Sequence, residues 1–100
     1  MAINKEPYGQ YARNEIFSAT TTSQQISPPK IRNVLFIRNS GTSGELITLT
    51  FGETIAIANQ GIVLSNGQFY VESNSEGFTT WTGPIQIIAS ATTAISIMER

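Results

Sequence analysis

The sequence has no cysteine, no histidine and no aspartate among its 100 residues. Without cysteine there is no disulfide, no thiolate metal site and no thiol nucleophile. Without histidine the usual general base is missing, as are the imidazole of nearly every catalytic triad and the commonest neutral metal ligand. Charge is scarce too. Asp, Glu, Lys and Arg make up 13% of the chain, against about 25% in an ordinary soluble domain. The formal net charge of −1 leaves no electrostatic footprint for nucleic acid or an anionic membrane. No stretch approaches the roughly 20 apolar residues of a membrane span. Residues 1–14 lack the apolar centre of a secretion signal, so no cleaved export is expected.

Isoleucine and threonine dominate what is present, and serine and asparagine are frequent too. Both of the leading residues are β-branched, which suits a pleated, half-buried surface and disfavours helix. A surface of Thr, Ser, Asn and Gln is soluble but weakly charged. It fits an ordinary small β domain. It equally fits a surface that faces a partner or its own copies, because charge is depleted at interface cores.

The first fourteen residues follow neither strand nor helix periodicity, and Pro7 and Gly9 break regular structure. They read as an extended arm. Tyr8, Tyr11 and Arg13 are its candidate partner contacts, since tyrosine combines contact area with a polar tip; a frayed terminus is the plainer alternative. Residues 15–27 read as an extended lead-in or a short strand pair, stopped by Ser27-Pro28-Pro29, where two consecutive prolines remove two backbone donors. The expected division is an arm and lead-in over 1–29 and a compact core over 30–100.

Within that core, residues 30–39 predict a strand with Ile31, Leu35 and Ile37 on one face and Val34 and Phe36 on the other. Residues 45–51 predict its hairpin partner across the turn cluster 39–44, with Ile47, Leu49 and Phe51 inward and Thr48 and Thr50 outward. Residues 54–58 form a short alternating run. Asn66-Gly67, between two β-prone runs, predicts a tight hairpin with a type I′ turn. Residues 78–82 are β-prone up to Gly83-Pro84. Ile85, Ile87 and Ala89 alternate with Gln86 and Ile88, and a last strand puts Ile95 and Ile97 inward. The expected fold is all-β: a small antiparallel β-sandwich or jelly-roll-like barrel of about seven or eight short strands.

Chemistry has few candidates. Glu45 with Glu53, and Glu72 with Glu76, flank strand runs and turns as solvated rim charges do; converging, such a pair could serve glycoside hydrolysis. Neither lysine sits in a serine–lysine motif, and the Gly-rich run 40–44 leads into no helix. No loop shows calcium-ligand spacing. The chain is expected not to be an enzyme and to need no cofactor or metal. Trp81 and Tyr70 read either as packing aromatics or as a stacking platform for a partner or a glycan. Lys30, Arg32 and Arg38 bracket the first core strand, either as surface charges or as anchors to an acidic protein surface. Residues 1–44 hold five bases and two acids, while residues 45–100 hold five acids and one base. That polarity could serve a head-to-tail contact between copies.

An ordered set of segments carries a resemblance. Arg32-Asn33-Val34-Leu35-Phe36-Ile37-Arg38-Asn39 leads into Ser40-Gly41-Thr42, and Leu49-Thr50-Phe51-Gly52 follows. After these come Gly61-Ile62-Val63-Leu64, then Trp81-Thr82-Gly83-Pro84-Ile85 and Ile88-Ala89-Ser90. In this order they resemble small structural proteins of tailed bacteriophages, over about residues 31–98. The chain departs from that pattern at Ser65-Asn66-Gly67, where a Pro-Gly turn would stand, and at Trp81, where tyrosine would. The resemblance implies a virion component made in the host cytoplasm, foremost a decoration (cement) protein on the outer capsid surface. Its implied partners are its own copies, as a homo-oligomer and foremost a trimer, and the major capsid protein, without nucleic acid or membrane. A fibre or head-surface module binding host glycan, and a connector or tail accessory protein, are the alternatives.

Overall fold

The computed structural model describes residues 12–75 and 78–100. The arm residues Tyr8 and Tyr11, and Glu76, lie outside the described residues. Eight strands follow in chain order among the described residues: β1 (Arg13–Ala19), β2 (Gln24–Ser27), β3 (Val34–Asn39), β4 (Ile47–Phe51), β5 (Ile62–Leu64), β6 (Phe69–Ser73), β7 (Ile85–Ala89) and β8 (Thr93–Glu99). They form two antiparallel four-stranded sheets. Sheet A has the order β1-β8-β3-β6 and sheet B the order β2-β7-β4-β5. The pairs β1–β8, β2–β7, β3–β6 and β4–β5 are nested one inside the next. One long antiparallel ribbon is thus rolled over into two layers, which is jelly-roll topology.

The core lies between the sheets. Sheet A contributes Ala19, Leu35, Ile37, Ile95 and Ile97, and sheet B contributes Ile26, Ile47, Leu49, Leu64, Ile85, Ile87 and Ala89, all buried. Every second residue of β4, β7 and β8 supplies this layer, as the period of two requires. The inward sets expected for these three strands are the ones observed.

Pairing departs from the sequence expectation in several places. Residues 13–27 are not a lead-in outside the core: they supply β1 to one sheet and β2 to the other. The Ser27-Pro28-Pro29 break is where the chain leaves sheet B, not a domain boundary. β3 and β4 do not form a hairpin, because residues 40–46 carry the chain from one sheet to the other. The Asn39 side chain pins that crossing. Its Nδ2 donates to the Glu45 carbonyl (2.8 Å) and the Leu64 carbonyl (3.0 Å), and its Oδ1 accepts from Gly41 N (3.0 Å). β5 and β6 likewise fall in different sheets, so Asn66-Gly67 is a second crossing. There the Gln68 N–H donates to the Ser65 carbonyl at 2.9 Å, and Gly67 alone takes a positive φ, +83°. A type I′ turn needs positive φ at both central residues.

Residues 54–58 and 78–82 are not strands. Ile31 precedes β3 and projects outward. Thr48 points away from the core as expected, yet it is only 3% exposed. Residues 52–61 fold across the outer face of sheet B and cover it: Asn59 N donates to Thr48 Oγ1 (3.0 Å), and Ala56 N to Ser23 Oγ (2.8 Å). Gly61 makes this closure possible. Its φ is +145°, and a Cβ there would lie 2.3 Å from the Leu49 carbonyl oxygen.

Candidate interaction surface

Three groups of side chains separate what is consumed by the fold from what is left for a partner. The first surrounds Glu99. Strand β8 puts Thr93, Ile95 and Ile97 inward, and the same parity delivers Glu99 to the interior at the end of the sandwich. Its Oε2 accepts from Arg32 Nε (2.7 Å) and from Ser27 Oγ. Its Oε1 meets Lys30 Nζ (2.7 Å) and Arg13 Nη1 (3.0 Å). Arg32 is itself 2% exposed. Its Nη1 donates to the Trp81 and Gly83 carbonyls, and its Nη2 to Ser27 Oγ and the Pro28 carbonyl. All five guanidinium N–H donors are therefore used. Burial pushes the Glu99 carboxyl up, but the donors from Lys30, Ser27, Arg32 and Arg13 outweigh it and hold the group at about 2.

This cluster changes the reading of the candidate anchors. Arg32 is buried and Lys30 turns to Glu99, so neither is free to hold an acidic partner. Arg38 lies within β3, whereas Lys30 and Arg32 precede it. Arg13 belongs to β1 and bonds Glu15 and Glu99 rather than serving an arm.

The second group is aromatic. Phe51 stacks on Trp81 with ring centroids 6.0 Å apart and meets Tyr70 edge-on at 5.4 Å. Trp81 Nε1 donates to the Pro84 carbonyl (3.0 Å). The backbone N–H of Trp81 (2.7 Å) and the Tyr70 hydroxyl (2.8 Å) both donate to the Glu72 carboxylate. Burial pushes the Tyr70 phenol up to about 12, and the bond to Glu72 adds to the shift. Tyr70 and Trp81 are brought together as expected, but as a half-buried plug packed on the core. One face of Trp81 is laid on Phe51, and Tyr70 packs against the same ring edge to face. Glu72 is tied into this plug, and Glu45 accepts from Ser43 N in the loop beside Asn39. Glu45 and Glu72, one from each acidic pair singled out in the sequence, thus belong to separate networks, and Glu76 lies outside the described residues.

The third group is the outer face of sheet A. Register builds it in two rows: Asn14, Met98, Phe36 and Val71, then Ile16, Ser96, Arg38 and Phe69. Ile16 is 70% exposed, Phe69 56% and Val71 51%. Phe36 and Phe69 pack with centroids 5.5 Å apart. Asn14, Glu15, Ile16, Phe36, Ser96 and Met98 line a shallow groove across β1, β8 and β3, with the Glu15 carboxylate bonded to Arg13. Arg38 is the one charged side chain that the four strands turn to this side, and it makes no ion pair among the described residues. An antiparallel sheet with one wet face usually alternates apolar-in with polar-out. Here five of the eight side chains in the two rows are apolar. Of the three candidate anchors, Arg38 is the one that presents its charge outward.

Comparison with protein-family models, with curated proteins and with solved structures gives no match.

Proposed function

We propose that this chain is a non-enzymatic structural protein of a tailed-phage virion, decorating and bracing the outer capsid lattice as a homo-oligomer, with the trimer as the first form to test. The observation that carries the reading is the outer face of sheet A, a sheet surface with apolar side chains exposed and one cation among them. Exposed apolar patches of this kind mark sites of association. The ordered segments between residues 31 and 98 that resemble phage structural proteins supply the context. Jelly rolls occur in viral capsid proteins, and also in lectins and cupins, so the topology is compatible with the reading without selecting it.

The work of such a protein is thermodynamic. A subunit that binds the assembled lattice and not its disassembled parts stabilises the lattice by mass action. Weak individual contacts add up when several are made at once. Tyr70 and Trp81 pack on Phe51 and on the core, which favours the packing role over a glycan platform.

The test is to quantify and locate the protein on purified particles of the phage that encodes it. Many copies spread over the shell, and particles that lose heat resistance when the protein is stripped, are the expected results. A single ring of copies would make it a connector or tail accessory protein. Absence from particles, or stripped particles as heat-resistant as complete ones, overturns decoration.

A further inference from the structure

The two broad sides of the sandwich carry opposite chemistry. On sheet A, the outward side chains of β1, β8, β3 and β6 include Arg38 and no acid. On the other side, strands β2, β4, β5 and β7 and the covering segment 52–61 contain no lysine or arginine, and their one charged residue is Glu53. That covering segment is also apolar outward: Ile55 and Ile57 are exposed beside Glu53, while Ala56 between them is turned in and buried. Apolar groups with a cation lie on one flank, and apolar groups with a carboxylate on the opposite flank.

We propose that the outer face of sheet A docks the 53–57 segment of a second copy of this chain, with Glu53 of that copy set against Arg38 and its Ile55 and Ile57 against Phe36, Phe69 and Met98. Charge complementarity selects this occupant. Two sheet A faces laid on each other would bring Arg38 towards Arg38 with no free acid to meet it, since Glu15 beside the groove is already bonded to Arg13, and like charges across an interface are unfavourable. The front-to-back arrangement pairs opposite charges and buries apolar surface on both sides.

The contact is heterologous: one surface meets a different surface. Each copy keeps one free flank, so copies add in the same sense. They form a ring if the rotation per step closes and an open row if it does not, but not a two-fold dimer. A four-stranded face of this size presents only a few hundred Å², below the roughly 800 Å² per partner of a standard interface. A single contact is therefore weak, and concentration on a surface is what populates it. The inference deepens the oligomer part of the proposed function and rests on that part alone; it does not require a capsid.

Sedimentation velocity of the full chain across a concentration series tests it, with charge-swapped variants and no particles present. Arg38 and Glu53 are both exposed and bonded to nothing else among the described residues, so exchanging them leaves the fold intact, which circular dichroism checks. Association that weakens with added salt is expected. Arg38→Glu alone and Glu53→Arg alone should each weaken it about tenfold, as attraction becomes repulsion. The double variant should recover most of the loss, and Phe69→Ser should weaken association at any salt concentration. A monomer at every concentration overturns the inference, as do single swaps without effect, a double swap without recovery, or a two-fold dimer as the sole associated form. Any of these leaves the particle measurement free to succeed or fail on its own.

Discussion

Glu99 and Arg32 show how much one buried pair can demand of a thin core. A chain of this length hides only about 60–65% of its unfolded surface, so single contacts weigh heavily. A buried ion pair gains little over apolar packing, but removing one partner strands the other, at a cost of about 3–5 kcal/mol. Glu99→Gln leaves Arg32, Lys30 and Arg13 without their common carboxylate. Loss of about 3–5 kcal/mol in urea unfolding at neutral pH is the expected outcome. The pH dependence has a definite sign. The folded carboxyl sits at about 2, below its ordinary 4.5, so the unfolded chain takes up its proton first as pH falls. The stabilisation is fully present above about 4.5 and is lost as pH drops through about 2; it amounts to about 3 kcal/mol. In Glu99→Gln that component of the acid dependence should vanish; an unchanged acid profile would mean that other carboxylates carry it. Inward parity at Glu99 was legible, because β8 alternates from Thr93 onward. Its partner was not: Arg32 lies 67 residues away, in the connection between β2 and β3, and no local pattern joins them.

At the scale of elements, the sequence shows which residues face inward far better than which strands meet. Alternation in β4, β7 and β8 reports directly which side chains enter the layer between the sheets, since that face is dry. Turn chemistry is local, however. Asn66-Gly67 turns the chain equally well whether the next strand returns to the same sheet or crosses to the other. The nesting of pairs around β4–β5 decides that, and it is a property of the whole ribbon. The covering segment 52–61 was hidden for a related reason, because its closure depends on one glycine. Gly61→Ala meets both a positive φ and the Leu49 carbonyl. It should cost well over 1 kcal/mol, and more than Gly67→Ala, where φ is also positive but a Cβ would meet open space. Thermal unfolding of the two variants side by side checks the order. Thr48 follows from the same cover. Outward parity alone makes Thr48→Lys harmless, but beneath residues 52–61 an ammonium group has no water and Asn59 N loses its acceptor. A loss of about 1–3 kcal/mol is expected. An unchanged midpoint would mean that the segment lifts off sheet B readily.

For the whole molecule, the rolled ribbon makes stability a joint property of both ends of the chain. β1 pairs with β8 along seven residues, from Arg13 opposite Glu99 to Ala19 opposite Thr93. β2 closes sheet B against β7. Ala19, Ile26 and Ser27 are buried, and Ser27 also bonds the Glu99 cluster. A fragment of residues 30–100, which the proline break suggests as the compact unit, lacks an edge strand from each sheet. It exposes β8 and β7 as new unpaired edges, the template on which strands add and aggregate. It also removes the Arg13 and Ser27 partners of Glu99. The fragment should therefore fail to fold cooperatively and should aggregate at micromolar concentration. Residues 12–100 keep all eight described strands and every described donor to Glu99, and should unfold in one cooperative transition close to that of the full chain. Paired urea titrations of the two fragments decide the matter: a cooperative, soluble 30–100 fragment would show that β1 and β2 are accessories rather than structural members of the roll.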